Sequence, residues 1–478
     1  MLARLQVHAG ATAAAFRQHR HVLVILPAAQ APGGRGEAES ALRALLARRH
    51  LKPQDLLKKP LCANLADGTL VVWTALDAKH TRFEALAAMR SALDLLLAEN
   101  PLEIAVIAPG RLAAELALYC AWVNGAPLPE RKSKATRKPL KVIHLYGERD
   151  AAAIAVVRAR AEGNLLCREL TTLPPNELGP ATYRKRVAAL AREHGWKREE
   201  YDFARLKKMG AGAFCAVAQG STALDAAIVH LRYSHPQARR TIALVGKGIC
   251  YDTGGHNLKP ARYMYGMHED MNGSAVVLGI LLAATRMKLA VNLDCWLAIS
   301  RNDISPRAYH QNEVVTALNG TTIEITHTDA EGRMVLADTL TLASRKRPDL
   351  MVDFATLTGS MHVALGNRYS GAFATSDTLA AKAVAAGRAA GERICMFPLD
   401  ADYDDALDSK IADVKQCTLD GEADHILAAR FLKKFTGERA WLHVDLSASS
   451  CKGGLGAVAS DLTGFGVTWA LQMIEAQR

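Results

Sequence analysis

Short apolar runs alternate with longer amphipathic segments along almost the whole chain, and few architectures accept that order. The first part reads "HVLVILPA", "AESALRALLARRH", "TLVVWTAL", "RFEALAAMRSALDLLLAE", "EIAVIAPG", "RLAAELALYCAWVNG" and "LKVIHLYG". Strand-length apolar runs interleaved with helical segments require an α/β layer with a largely parallel sheet. A helix from about Ala151 to Leu170 then leads into "TTLPPNELGP", where two prolines, Asn176 and Gly179 break the pattern. The alternation resumes with the strand ending "RTIALVGKGICYD", the helix "NGSAVVLGILLAATRMK", the strand "AVNLDCWLAIS", the helix "RMVLADTLTLASRKR" and the strands "DLMVDFATLTG" and "AWLHVDLSAS". At 478 residues the chain exceeds what one hydrophobic core usually supports. The expected fold is therefore α/β in two domains, a smaller one over residues 1–160 and a larger one over 161–478, the latter with a central mixed sheet flanked by helices.

Composition removes several alternatives. "HVLVILPAA" and "LDLLLA" are far shorter than the roughly 20 apolar residues of a membrane crossing, so no membrane association is expected. Nine cysteines without C-x-x-C pairs fit reduced thiols of an intracellular protein rather than a disulfide framework. The start is rich in Ala and Arg, with no acid before Glu37, as in a transit peptide. A strand beginning at His21 leaves little room for one, and a cytoplasmic location is expected. The net charge of +11 is concentrated early: residues 1–150 hold 21 Lys and Arg against 13 Asp and Glu, a surplus of 8. Within "RKSKATRKPLK", Arg131 to Lys141, six residues are basic and none acidic. Such a run can grip nucleic-acid phosphate, but without interleaved aromatics a solvated loop is the simpler reading.

Three segments of the second part collect charge in unusual settings. "HTDAEGR", His327 to Arg333, places Asp329 and Glu331 two apart with nothing bulky between them. In "GKGICYDTGGHNLKP", Lys247 follows the strand "TIALV", Asp252 comes five residues later and Lys259 seven after that, among glycines that let backbone approach a ligand. It is not a phosphate loop, because position 241 is Thr and Gly follows the lysine. In "MHEDMNGSAVVLG", Asp270 precedes an apolar helix. Each acid alone reads as a helix cap or surface residue. Together they lie at strand ends and helix starts, where open α/β sheets bind ligands. Four carboxylates converging there repel one another unless cations sit between them, and oxygen-rich ligand sets suit Mg, Mn or Zn. On an extended segment, Asp329, Glu331 and Arg333 would share one side, with the arginine holding an anion beside the metals.

These residues resemble the leucyl aminopeptidases, dinuclear metallopeptidases with the signature N-T-D-A-E-G-R-L, for which this chain has "HTDAEGRM". The similarity extends to "RELTTLPPNELGP", "KKMGAGAFCAVAQGS", "DFATLTGSMHVALG" and "LTGFGV", covering essentially residues 160–478. The resemblance implies that Asp252 and Glu331 bridge two divalent ions, that Asp329 completes one site, and that Lys247 with Asp270 completes the other. Lys247 can ligate only as the neutral amine, with its pKa pulled below the ordinary value of about 10.4 by the cations. Lys259 would polarise the scissile carbonyl, and Arg333 would hold a bicarbonate acting as general base. Met267, Thr356 and Gly359 would line the pocket for the first side chain of a peptide substrate. The family also implies a homohexamer with active sites facing an interior cavity. The chain departs from the family pattern at His327, His268, Asn272 and Thr171–Thr172; His327 is expected to brace the ligands, and His256 to be a loop residue. The alternative to a metal-dependent aminopeptidase preferring Leu-like residues is a DNA-binding protein acting through the basic first domain.

Overall fold

A computed structural model describes residues 1–10, 18–27 and 36–476. The chain forms two compact units. The first comprises Met1–Leu165 with Arg388–Glu392 and Cys451–Thr463, and the second comprises Leu166–Gly387, Arg393–Ser450 and Gly464–Arg478. The division falls inside the helix Ala151–Thr172.

The first unit is built on six strands in the spatial order Arg4–His8, Val142–Tyr146, Glu103–Ile107, His21–Pro27, Leu70–Leu76 and Leu61–Asn64. All neighbours are parallel except the last pair. Side chains alternate across the sheet as strand geometry demands. Leu23, Ile25, Val72, Ile104 and Ile143 pack with the helices Arg82–Leu97 and Arg111–Gly125. Val22, Val71, Trp73 and Ala105 pack on the other face with Leu42 and Leu46 of the helix Glu37–Arg48. Residues 131–139 are exposed without helix or strand, and Glu130 closes the segment by accepting from the Thr136 N–H (2.7 Å) and hydroxyl (2.8 Å). The basic run is thus a solvated loop.

The second unit carries an eight-stranded mixed sheet. Its order is Ile394–Met396, Ser370–Ala374, Trp441–Asp445, Leu350–Ala355, Thr241–Asp252, Asn292–Asn302, Ala227–Tyr233 and Lys197–Asp202. The four middle strands run parallel, so their carboxyl ends emerge at one edge. The two strands that flank this block, Ser370–Ala374 and Ala227–Tyr233, are antiparallel to it. The helices Asn272–Arg286 and Glu331–Arg345 start at the same edge, and the latter buries Met334, Val335, Leu336 and Leu340 in the core. No described helix is long and apolar enough to cross a membrane. All nine cysteines are free thiols.

One local expectation is corrected here. The strand does not stop at "TIALV" but runs from Thr241 to Asp252, so Lys247 lies within it. Its partner Leu350–Ala355 pairs only as far as Phe354 with Gly246, so Lys247 stands where the neighbouring strand ends. Gly246 serves protein packing rather than ligand approach. A Cβ there would meet Ser274 Cα at 2.5 Å and Gly273 O at 2.6 Å, both backbone atoms of the helix start. Gly246→Ala is therefore expected to destabilise by about 2 kcal/mol or more, since neither element can yield without moving the sheet. Gly359→Ala, where no atom lies within 4 Å, is the matched control and should leave the unfolding midpoint unchanged. Equal midpoints for both variants in denaturant unfolding would refute the packing argument.

Candidate metal centre

The sheet edge gathers the charged residues of the three segments. Lys247 Nζ lies 2.9 Å from both Asp270 Oδ1 and Glu331 Oε1 and donates to the Thr356 carbonyl at 3.0 Å. Lys259 Nζ lies 2.8 Å from Asp252 Oδ2 and 2.5 Å from Asp329 Oδ1. One ligand oxygen from each of Asp252, Asp329 and Glu331 comes within 4.8 Å of the others. Lys247, Asp252, Asp270 and Glu331 are buried, and Asp329 is half-buried. Six of the seven residues named from sequence for metal and catalysis thus gather here, in two ion-paired groups joined by the approach of Asp252, Asp329 and Glu331; the seventh, Arg333, hydrogen-bonds other residues.

The geometry of "HTDAEGR" differs from the extended segment expected. Asp329 sits in a turn closed by the Ala330 N–H donating to His327 O at 3.1 Å. Glu331 is the first residue of the helix Glu331–Arg345, behind Ala330 at φ −100° and ψ 37°. The physical reason is electrostatic as well as steric: a helix N-terminus presents unpaired N–H groups and a positive dipole end, which favours a carboxylate there. Gly332 at the next position leaves room for Lys247, whose Nζ a Cβ would approach to 2.7 Å. Arg333, in the first turn of the same helix, is buried and held by partners far along the chain. Its Nη1 donates to Gln416 O at 2.9 Å and its Nη2 to Asp424 Oδ1 at 2.7 Å.

The charges do not balance. Four buried or half-buried carboxylates face two ammonium groups, an excess of two negative charges. Burial first, and then Glu331 and Asp252, push Asp329 well above the usual carboxylate range; burial with the same two neighbours does so for Asp270. Asp270 Oδ2 and Glu331 Oε2 are buried with no hydrogen-bond partner. Unmatched buried oxygens of this kind are costly, and divalent cations would satisfy both the lone pairs and the charge. The residues therefore fit a divalent-metal centre rich in oxygen, with one amine.

Without cations Lys247 is held in its charged form. Burial favours its neutral form, but Asp270, Glu331 and Asp252 outweigh that and hold its pKa above the ordinary lysine value. With only the chain's own groups present, the ammonium is what neutralises the carboxylates. The amine becomes a ligand only when other cations take over that charge.

Further contacts support the centre that no local spacing reveals. Asn302, at the end of the adjacent strand, donates through Nδ2 to Asp252 Oδ1 (2.8 Å) and Thr328 O (3.0 Å). Gln416 Oε1 accepts the His327 N–H at 3.2 Å, and Tyr309 Oη donates to Thr328 O at 2.7 Å. His327 Nδ1 accepts the N–H of Asp329 at 3.2 Å, the bracing contact expected of it. Two departures from the family pattern meet each other: Asn272 Nδ2 donates to Thr171 Oγ1 at 3.0 Å. His268 is half-buried on the short helix Met267–Met271, and burial lowers its pKa. His256 stacks on His310 at 4.4 Å, as a loop residue.

Of the proposed pocket residues, Thr356 donates through Oγ1 to Asp270 Oδ1 at 2.7 Å, and Met267 opens the short helix that carries Asp270. Gly359 begins the helix Gly359–Leu365, exposed and with open space where a side chain would project.

An α/β unit with a lysine-bearing carboxylate cluster at the carboxyl edge of its sheet belongs to the class of divalent-metal enzymes. Residues 165–471 match the profile described as "Cytosol aminopeptidase family, catalytic domain". A "Probable cytosol aminopeptidase" of Parasynechococcus marenigrum (strain WH8102) is 41% identical over 361 residues, 74% of this chain and 73% of that protein. Another of that name, from Streptomyces griseus subsp. griseus, is 38% identical over 382 residues, 77% of this chain and 73% of that protein. The solved structure "Bottromycin maturation enzyme BotP in complex with Mn" superposes with a TM-score of 0.84 at 32% identity, covering 96% of this chain and 99% of that one. The chain belongs to the cytosol aminopeptidase family, and is a hydrolase of its leucyl-aminopeptidase type.

Proposed function

We propose that the enzyme releases N-terminal amino acids, Leu-like and other apolar ones foremost, from peptides at a centre of two divalent ions held by Lys247, Asp252, Asp270, Asp329 and Glu331. The observation that carries this is the buried excess of carboxylate charge with the unpartnered Asp270 Oδ2 and Glu331 Oε2. Divalent ions bound there supply Lewis acidity toward water and the peptide carbonyl. Asp252 and Glu331 would serve both ions, Asp329 would complete one position, and Lys247 with Asp270 the other. Lys259 directs its ammonium to the carbonyl oxygen and stabilises the negative charge that develops there. Arg333 has a buried Nε without a hydrogen-bond partner, which suits it to hold a bicarbonate base. Met267, Thr356 and Gly359 border the first side-chain pocket, and the open space at Gly359 accommodates an apolar group.

Manganese is supported by the solved relative in complex with Mn; zinc suits the amine ligand, and magnesium suits the carboxylates. The names of the relatives support a cytoplasmic location, and the family resemblance supports a homohexamer with its active sites facing an interior cavity.

Metal-stripped protein should be inactive on aminoacyl-naphthylamides and dipeptides, and should regain at least about 10²-fold activity with Mn or Zn. Leucyl and other apolar substrates should rank first. Metal-loaded protein that cleaves no member of such a panel would remove this reading.

A further inference from the structure

The first unit contains a second group of metal-ligating side chains, remote in sequence from the centre described. We infer that His19, His144 and Glu103 form a separate site for one transition-metal ion of the zinc class, bound by two imidazoles and a carboxylate.

The sheet creates the juxtaposition. His144 lies within Val142–Tyr146, Glu103 opens Glu103–Ile107, and His19 stands just before His21–Pro27, three strands that are consecutive in the sheet. The register pairs Ala105 with His144 and Glu103 with Val142, so Glu103 and His144 share a face as diagonal neighbours. Each of the three residues offers a ligand atom within 4.8 Å of the others.

Hydrogen bonding divides the ring nitrogens into two kinds. His19 Nε2 is 2.8 Å from Tyr146 Oη, and His144 Nδ1 is 3.1 Å from His8 Nε2. The remaining nitrogens, His19 Nδ1 and His144 Nε2, are buried and make no hydrogen bond. His144 Nε2 is 3.5 Å from Glu103 Oε2, too long for a hydrogen bond. Metal-bound histidines are arranged in this manner: one nitrogen on the metal, the other fixed by a hydrogen-bond partner that sets tautomer and ring orientation. A purely structural cluster would leave two imidazole nitrogens desolvated with nothing in return.

The donor set also selects the ion. Two neutral imidazoles and one carboxylate suit Zn, Ni, Cu or Fe better than Mg or Ca, whereas the centre in the second unit is dominated by oxygen. Glu103 is exposed, which opens the group to ions from solvent. Tyr146 and His8, stacked at 4.5 Å, stand beside it as the supporting partners.

The test uses the full-length chain carrying Asp329→Ala and Glu331→Ala, so that the carboxylate centre does not compete. Titration with zinc should show one ion per chain, and titration with copper should give an electron paramagnetic resonance signal with nitrogen coupling from imidazole. Adding His144→Ala should abolish both. Because that buried change can disturb folding, Glu103→Gln at the exposed position is the decisive variant. It should weaken zinc at least about tenfold while the unfolding midpoint measured without metal stays the same. No zinc on the starting variant, no nitrogen coupling, or unchanged affinity in Glu103→Gln would each overturn the proposal.

Discussion

Asp329→Asn combined with Glu331→Gln should abolish peptidase activity, lowering kcat/KM by at least about 10³-fold, because a metal centre contributes several kcal/mol of transition-state stabilisation. The same change should not destabilise the metal-free protein. In the chain alone, four carboxylates face two ammonium groups, and Asp329 is already driven toward its protonated form by burial and by Glu331 and Asp252. Amides of the same shape remove repulsion while keeping the packing, so the metal-free unfolding midpoint should stay constant or rise. Wild-type chain should instead be stabilised by added Mn, and the variant should not, since only a native state that binds the ion gains from it. Activity within tenfold of wild type, or metal stabilisation of equal size in both proteins, would show that these two carboxylates do not form the centre.

Lys259→Met is the second large effect, a fall in kcat of about 10²–10³-fold with little change in KM. Lys259 Nζ lies between Asp252 and Asp329, 2.8 and 2.5 Å away, and its charge is held above the ordinary lysine range by carboxylates that outweigh burial. In the proposed mechanism, cations that satisfied those acids would free the ammonium to donate to a substrate oxygen. An interaction that strengthens only as charge develops lowers kcat when lost, whereas uniform substrate binding would appear in KM. Methionine preserves the length and apolar packing of the stem and deletes only the charge. A rise in KM with kcat intact would assign Lys259 to substrate binding instead.

The placement of Asp252, Asp270, Asp329 and Glu331 at one sheet edge was readable because each lies at a strand end or helix start, and alternation locates those ends. Their partners were not readable in the same way. Arg333 finds Gln416 O and Asp424, 83 and 91 residues downstream, in a stretch with no periodicity to mark it. The extended reading of "HTDAEGR" failed for a related reason. Whether residues 331–333 continue a turn or begin a helix depends on the apolar face of Glu331–Arg345 finding its core, which no seven-residue window contains. Nor does any local window show that the departures at 171 and 272 meet: Asn272 hydrogen-bonds Thr171, 101 residues away.

By itself, then, the sequence determined the α/β class, the family, and the acids and lysines that meet at one sheet edge of the second unit. All of these rest on local order: periodicity, turn residues, and acids and lysines at short fixed spacings. Tertiary structure alone decided that Lys247 lies within a strand level with the end of its neighbour, that Gly246 and Gly332 exist for close packing, and that His19, Glu103 and His144 meet. Those are matters of register and packing between strands distant along the chain. A one-residue slip in register would send His144 to the opposite face of the sheet, and nothing in the composition of "KVIHLYG" records which face it takes.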